Sequence, residues 1–224
     1  MSGNIRANVL QCRGLFKAAR LPFTFHDDDG YDVGTAAEFA NVTYVEEWRT
    51  LLHGQRYDFR FDDLSLLQFR ATGEGPEVEL RYAFYEAPVR VVGYRSFLQD
   101  FLATTFNEAG YGAWSEYEEY VFTAPARPAT PIRYDYSARM YTEGVHPASH
   151  VHVGYRNQVR LGTAKCWRPM TFALFVLRQA YPDVWKEFLG HSQAATMARF
   201  IRASLVDVPG DYVRARDDWQ AMLR

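Results

Sequence analysis

Two cysteines are all that this 224-residue chain contains, Cys12 and Cys166, and they stand far apart. Their scarcity excludes a disulfide framework and the paired-cysteine spacings of structural zinc sites. No apolar run is long enough to span a bilayer and no charged-then-apolar leader opens the chain, so a reduced, soluble, cytoplasmic protein with no membrane attachment is expected. An excess of one charge is missing too. With 25 Lys and Arg against 27 Asp and Glu, the formal net charge is −2, which excludes a global pull toward nucleic acid or an anionic membrane and leaves any basic surface local. No internal repeat or linker-like segment is visible.

Aromatic residues, by contrast, make up 16% of the chain, with 16 Phe and 15 Tyr, and 48% of residues are apolar. That is enough for a sizeable core and argues for sheet faces and packed helices over disorder. A single domain over residues 1–224 is expected: an N-terminal helix over 5–20, a sheet-rich body from about 23 to 165, and a helical C-terminal part from about 170 to 224. Ile5, Val9, Cys12 and Phe16 recur at near-helical spacing, and Val45, Trp48, Leu51 and Leu52 do so over Tyr44–His53 before Gly54. Tyr57–Phe61, Ser65–Ala71 and Val78–Tyr85 read as an antiparallel meander with turns at Asp62-Asp63 and Gly73–Pro76. One helix is predicted over Tyr94–Glu108, while Glu116–Phe122 suits helix or strand equally. The proline-spaced stretch Ala124–Pro131 is a connection into a strand over Ile132–Tyr136. The histidine-rich segment and Tyr155–Leu161 follow. Pro169 then opens a helix to Ala180, and three short helical pieces are predicted beyond it, starting at Pro182, at a Ser192 cap and after Pro209. Strands in the middle and helices at both ends predict an α+β fold, a central antiparallel sheet with helices packed on one face and a helical C-terminal tail.

The chemistry concentrates in Arg133-Tyr-Asp135 and His146-Pro-Ala-Ser-His150-Val-His152. Three of the six histidines fall within seven residues. A buried neutral imidazole needs both a donor and an acceptor satisfied, so such clustering suggests a site rather than core filling. In extended chain, Arg133 and Asp135 share one side and His150 and His152 share one side, and antiparallel pairing of the two strands would bring all four to one face. A carboxylate beside an imidazole sets its tautomer, and a guanidinium holds an anionic oxygen. His146 can reach in from the loop as a further imidazole. The candidate catalytic residues are therefore His146, His150, His152, Arg133 and Asp135, with no cofactor-binding motif.

Two mechanisms suit that set. Without metal, His150 or His152 takes a proton from a ribose 2′-hydroxyl, another imidazole protonates the leaving oxygen and Arg133 stabilises the phosphorane, so RNA is the substrate and no cofactor is required. With a divalent metal, His150, His152 and Asp135 bind an ion that activates water, Glu118 or Glu119 being a further ligand, and DNA also becomes a substrate. The spacing H-x-x-x-H-x-H matches no structural zinc pattern, which ranks the metal version second. The plainer readings stay open beside these: His150 and His152 as a solvated strand face, Arg133 and Asp135 as a surface ion pair worth little, His26–Asp29 as a solvated loop, and Cys166 as a core residue.

Trp48-Arg-Thr-Leu-Leu52, Asp63-Leu-Ser-Leu-Leu-Gln-Phe69, Leu80-Arg-Tyr-Ala-Phe-Tyr85, Pro131-Ile-Arg-Tyr-Asp135, His146-Pro-Ala-Ser-His150 and Phe172-Ala-Leu-Phe-Val-Leu-Arg-Gln-Ala-Tyr181 resemble, in that order, a bacterial family of uncharacterised proteins, domain-of-unknown-function family 2290. The resemblance spans most of the chain and brings no established activity. Arg133, Asp135, His146, His150 and His152 carry a looser resemblance to small TumE-like bacterial toxins, which implies RNA cleavage or another growth-arresting activity held in check by a partner. The expected function is thus a nuclease, first a ribonuclease, in a toxin or phage-defence system, with RNA or other nucleic acid as substrate and an antitoxin or defence-complex protein as partner. The alternative is a non-catalytic nucleotide-binding or adaptor subunit of a defence complex.

Overall fold

The structure, a computed structural model, describes residues 5–27 and 38–214 and the backbone of 222–223. The N-terminal part runs α1 (Ile5–Ala18), β1 (Phe23–Phe25), α2 (Tyr44–His53), β2 (Phe59–Phe61), β3 (Leu66–Thr72) and β4 (Glu79–Tyr85). Three helices follow, α3 (Tyr94–Leu102), α4 (Phe106–Ala109) and α5 (Trp114–Thr123), then β5 (Ile132–Ser137), β6 (Ser149–Val153), β7 (Leu161–Thr163) and β8 (Lys165–Cys166). The chain closes with α6 (Pro169–Ala180), α7 (Pro182–Leu189), α8 (Ala194–Ser204), β9 (Val206–Asp207) and β10 (Met222–Leu223). This is the α+β fold that the sequence pattern predicts, down to the helical C-terminal part, except that helices pack on both faces of the sheet and not on one.

One sheet takes eight of the strands, in spatial order β1-β2-β3-β4-β5-β6-β7-β10. From β1 to β7 every neighbour is the next strand in sequence and every pairing is antiparallel, whereas β10 joins β7 in parallel. Alternation decides which face each residue takes. In β5, Ile132, Tyr134 and Tyr136 are buried and Arg133, Asp135 and Ser137 are half-buried, the two-residue period of a strand.

The buried face carries the larger core. Phe16 of α1 meets Phe59 and Phe61 edge-on at 5.1 and 5.0 Å, and Phe172 of α6 packs against Phe69 and Tyr82. Each such side chain contributes about 1.5–3 kcal/mol on burial. Tyr134 is clamped between the rings of Tyr82 and Trp167, at 5.3 and 5.2 Å. Its hydroxyl accepts the Trp167 backbone N–H at 2.8 Å and lies 3.0 Å from Ser149 Oγ. The residue between Arg133 and Asp135 is thus locked, and β5 with it. On the opposite face a smaller cluster joins Leu66, Ala83 and Tyr85 to Trp48 and Leu51 of α2, Phe97 of α3 and Tyr117 of α5. It covers one end of that face only, so the polar residues of β4, β5 and β6 line cavities beside it.

Local chemistry sets several helix boundaries. Thr43 and Glu46 form a reciprocal capping box at the start of α2. A second box, Thr105 with Glu108, splits the helix predicted over Tyr94–Glu108: α3 ends at Leu102, Ala103 takes a left-handed φ of 50°, and α4 restarts after Thr105. The ambiguous Glu116–Phe122 is helix. Ser192 does not cap α8: the N-cap is Gln193, without a side-chain cap bond, and its N–H donates to His191 Nδ1 at 3.2 Å. Beyond Pro209 a 3-10 turn, Gly210–Tyr212, begins the last predicted helical piece, and residues 215–221 lie outside the described residues. So do Asp28 to Gly30 of the predicted acidic loop, although Asp27 bonds Arg6.

Candidate metal centre

Strand register assembles the site. Across the sheet, Arg70 of β3 pairs with Arg81 of β4, Arg81 with Asp135 of β5, and Asp135 with His150 of β6. His150 in turn faces Gly162 of β7, which has no side chain to fill the space. One row over, Ala83 pairs with Arg133 and Arg133 with His152. Since each row places its residues on one face, Arg133, Asp135, His150 and His152 converge as their spacing predicts.

Asp135 Oδ2 accepts from Arg133 Nε at 2.6 Å. The same oxygen lies 3.6 Å from His152 Nε2 and 3.8 Å from His150 Nε2. Each imidazole is held from behind: His150 Nδ1 meets the Pro147 carbonyl at 2.9 Å and His152 Nδ1 meets the Asn157 carbonyl at 3.0 Å. A carbonyl can only accept, so both rings carry their proton on Nδ1 and turn an Nε2 lone pair toward the carboxylate. Burial pushes His150 down to about 4, with the neighbouring imidazoles adding to the shift against the pull of Asp135. Burial, then the nearby Arg133, lowers His152 as well. Burial thus favours the neutral form of both rings.

Three electron-rich atoms from Asp135, His150 and His152 therefore lie within 4.8 Å of one another. Two imidazoles and one carboxylate form a donor set for a divalent transition metal. The carbonyls behind the rings and Arg133 behind the carboxylate occupy the places of the outer partners that orient metal ligands and fix their tautomers. Bonds of about 2.1 Å would put donor atoms roughly 3 to 3.5 Å apart, so an ion held by all three would require the half-buried Asp135 and the imidazoles to close by a fraction of an ångström to about an ångström.

His146 sits beside the triad, its ring 4.9 Å from that of His150, but it is not among the converging donors. Burial and the charge of Arg160 lower its pKa. Glu118 does not reach the site. Its carboxylate lies 3.2 Å from His53 Nδ1, because α5 packs on the far cluster through Tyr117 and Val121, and exposed Glu119 is on the same helix. The triad opens into a cavity of about 400 Å³ whose lining includes Arg70, Arg81, Arg133 and Arg160, with Glu79 as the one other carboxylate besides Asp135 among the described residues. Arg70, Arg81 and Arg160 are the residues that sequence reasoning missed. For Arg70 and Arg81 the available signal was an arginine inside each of two largely apolar strands, at half-buried positions, whereas Arg160 precedes β7 and carried no such signal.

No curated protein and no solved structure matches the chain. The family model described as "Uncharacterized conserved protein (DUF2290)" matches residues 24–207, from β1 through β9, and the chain belongs to that family.

Proposed function

We propose that this protein is a metal-dependent nuclease that cleaves phosphodiester bonds, RNA before DNA, in a toxin or phage-defence setting. The observation that carries the reading is the convergence of two Nε2 lone pairs and one carboxylate oxygen inside an arginine-lined cavity. His150, His152 and Asp135 would hold a divalent ion, which would supply a water of lowered pKa and polarise a phosphoryl oxygen. Arg81 and Arg133 bind the non-bridging oxygens and stabilise the charge that develops on them. Local arginines also supply the attraction for a polyanion that the net charge of −2 does not.

The metal-free mechanism, ranked first on sequence alone, fits the geometry less well. A general acid must carry a proton at the working pH. With a pKa of about 4, His150 holds almost none at neutrality, and its Nδ1 is engaged by a carbonyl. The toxin or defence setting is supported by the resemblance of the Arg133, Asp135 and histidine pattern alone.

The test is cleavage of labelled RNA and DNA by protein stripped with EDTA and then resupplied separately with Mn2+, Mg2+, Zn2+ or Fe2+. Activity is expected only with metal and is expected to fall at least 100-fold in His150→Ala, His152→Ala and Asp135→Asn. Full activity in EDTA, or variants as active as the parent, overturns the reading. Metal-dependent binding of oligonucleotides without turnover would instead favour a nucleotide-binding or adaptor subunit.

A further inference from the structure

A second cavity of about 280 Å³ adjoins the first and shares Arg81, Arg133 and His152 with it. Its position follows from the sheet. Arg133 and Arg81 line both cavities and Arg133 Nε lies 2.6 Å from Asp135 Oδ2, so a phosphate held by these two arginines would stand beside the triad with this cavity next to it. The register puts Ala83 opposite Arg133, where a larger side chain would fill the opening.

Among the described residues the lining combines aromatic rings and Arg81, Arg133 and Arg156 with one carboxylate. Tyr85 and Tyr155 supply rings, and Glu47 enters from α2, only 8% exposed. Burial raises its pKa, against the hydroxyls of Tyr155 and Tyr85 and the charges of Arg81 and Arg156. Among the described residues no ion pair closes on it. A buried carboxylate accepts hydrogen bonds and cannot donate, so it favours a ligand edge that offers two adjacent N–H groups and repels one that offers a carbonyl or ring nitrogen. Of the four RNA bases, only guanine presents such an edge, N1–H beside the 2-amino group. Adenine and cytosine place an amino group next to an acceptor, and uracil sets one N–H between two carbonyls. Flanking aromatic rings are what an unstacked base requires. The volume, near the lower end of small-ligand pockets at about 300 Å³, suits a single base.

We propose that this cavity is a base-binding subsite selective for guanine, with Glu47 accepting from N1–H and the 2-amino group and Tyr155 closing on the face of the ring. The substrate class rests on the nuclease reading, whereas base selection needs no turnover and is measured without it.

The experiment is calorimetric titration of the purified full chain in EDTA with the 3′- and 5′-monophosphates of guanosine, adenosine, cytidine and uridine. Parent, Glu47→Gln and Tyr155→Leu proteins are compared, each first checked for its fold by circular dichroism. One guanosine monophosphate is expected to bind at least tenfold more tightly than its adenosine, cytidine and uridine counterparts. That preference is expected to fall below threefold in Glu47→Gln, and Tyr155→Leu is expected to weaken all four bases together. If Glu47→Gln does not fold, Glu47→Asp shortens the reach and lowers the preference on a conserved charge. Equal binding of the four, binding of none, or a preference that survives the Glu47 change overturns the proposal. Guanine-selective binding in a protein that cleaves nothing with any metal contradicts the nuclease reading alone, and cleavage indifferent to neighbouring bases together with unselective binding contradicts the guanine site alone.

Discussion

Lowering the pH of metal-stripped protein from 7.5 to 5.0 is expected to cost about 2 kcal/mol of stability at His150 alone. The folded protein holds this imidazole neutral, pushed down to about 4 from an ordinary 6.5. In the pH window between those values the unfolded chain binds a proton that the folded chain does not. The stability is therefore complete above about 6.5 and drains as pH falls toward 4, the opposite of a histidine stabilised by a carboxylate partner. Across the whole window the loss approaches about 3 kcal/mol, since one pKa unit is worth about 1.4 kcal/mol. The assay is urea unfolding in EDTA at pH 7.5, 6.0 and 5.0 for parent and His150→Asn, whose amide nitrogen can keep the bond to the Pro147 carbonyl. Other titrating groups, His152 and His146 among them, appear in both proteins, so the difference between the two pH profiles isolates His150. Parallel profiles, differing by less than about 0.5 kcal/mol between pH 7.5 and 5.0, would refute a buried neutral imidazole.

Three further outcomes follow from other parts of the fold. Asp58, 1% exposed, pairs with Arg6 at 2.8 Å and accepts the Phe69 N–H at 2.7 Å, so Arg6→Ala removes the nearer of two cations from a buried charge. The expected loss in urea melts is about 3 kcal/mol, the low end for a broken buried pair because Arg70 lies 3.7 Å away; a loss under 1 kcal/mol contradicts it. Ala103→Gly is expected to stabilise by roughly 0.5–1 kcal/mol, since residue 103 holds a left-handed φ that a Cβ resists, and a lower Tm would count against it. Arg81→Ala is expected to reduce by about 1 the slope of log affinity for RNA against log salt, measured by fluorescence anisotropy, and an unchanged slope removes Arg81 from the phosphate path.

The strands that carry the site were legible because β5 alternates strictly between buried and half-buried residues, although β6 is buried from Ser149 through His152. Tyr134 could go to the core only if Arg133 and Asp135 faced the other way, and the same parity joined His150 to His152. The pairing of β5 with β6 also followed from their being consecutive. The neighbour on the other side of β5 was not legible. Three helices separate β4 from β5, so nothing local tells that Arg81 lies opposite Asp135, and Arg70 enters only through β4. For the same reason Glu118 was placed by its type, whereas the packing of α5 through Tyr117 sends it to His53. The orientation of the imidazoles was hidden because it depends on two carbonyls, of Pro147 and Asn157, that lie in loops on either side of β6 and set the tautomers. The break in the helix predicted over Tyr94–Glu108, in contrast, was written in Thr105-x-x-Glu108, a capping box that the apolar periodicity concealed.

The most direct measurement is calorimetric titration of EDTA-treated, dialysed protein with Mn2+ and Zn2+ at pH 7.5, repeated on His150→Ala, His152→Ala and Asp135→Asn. One ion per chain is expected, with affinity reduced at least tenfold by each substitution while the fold persists by circular dichroism. No saturable binding in the parent, or binding that all three variants retain, would contradict a metal centre on β5 and β6.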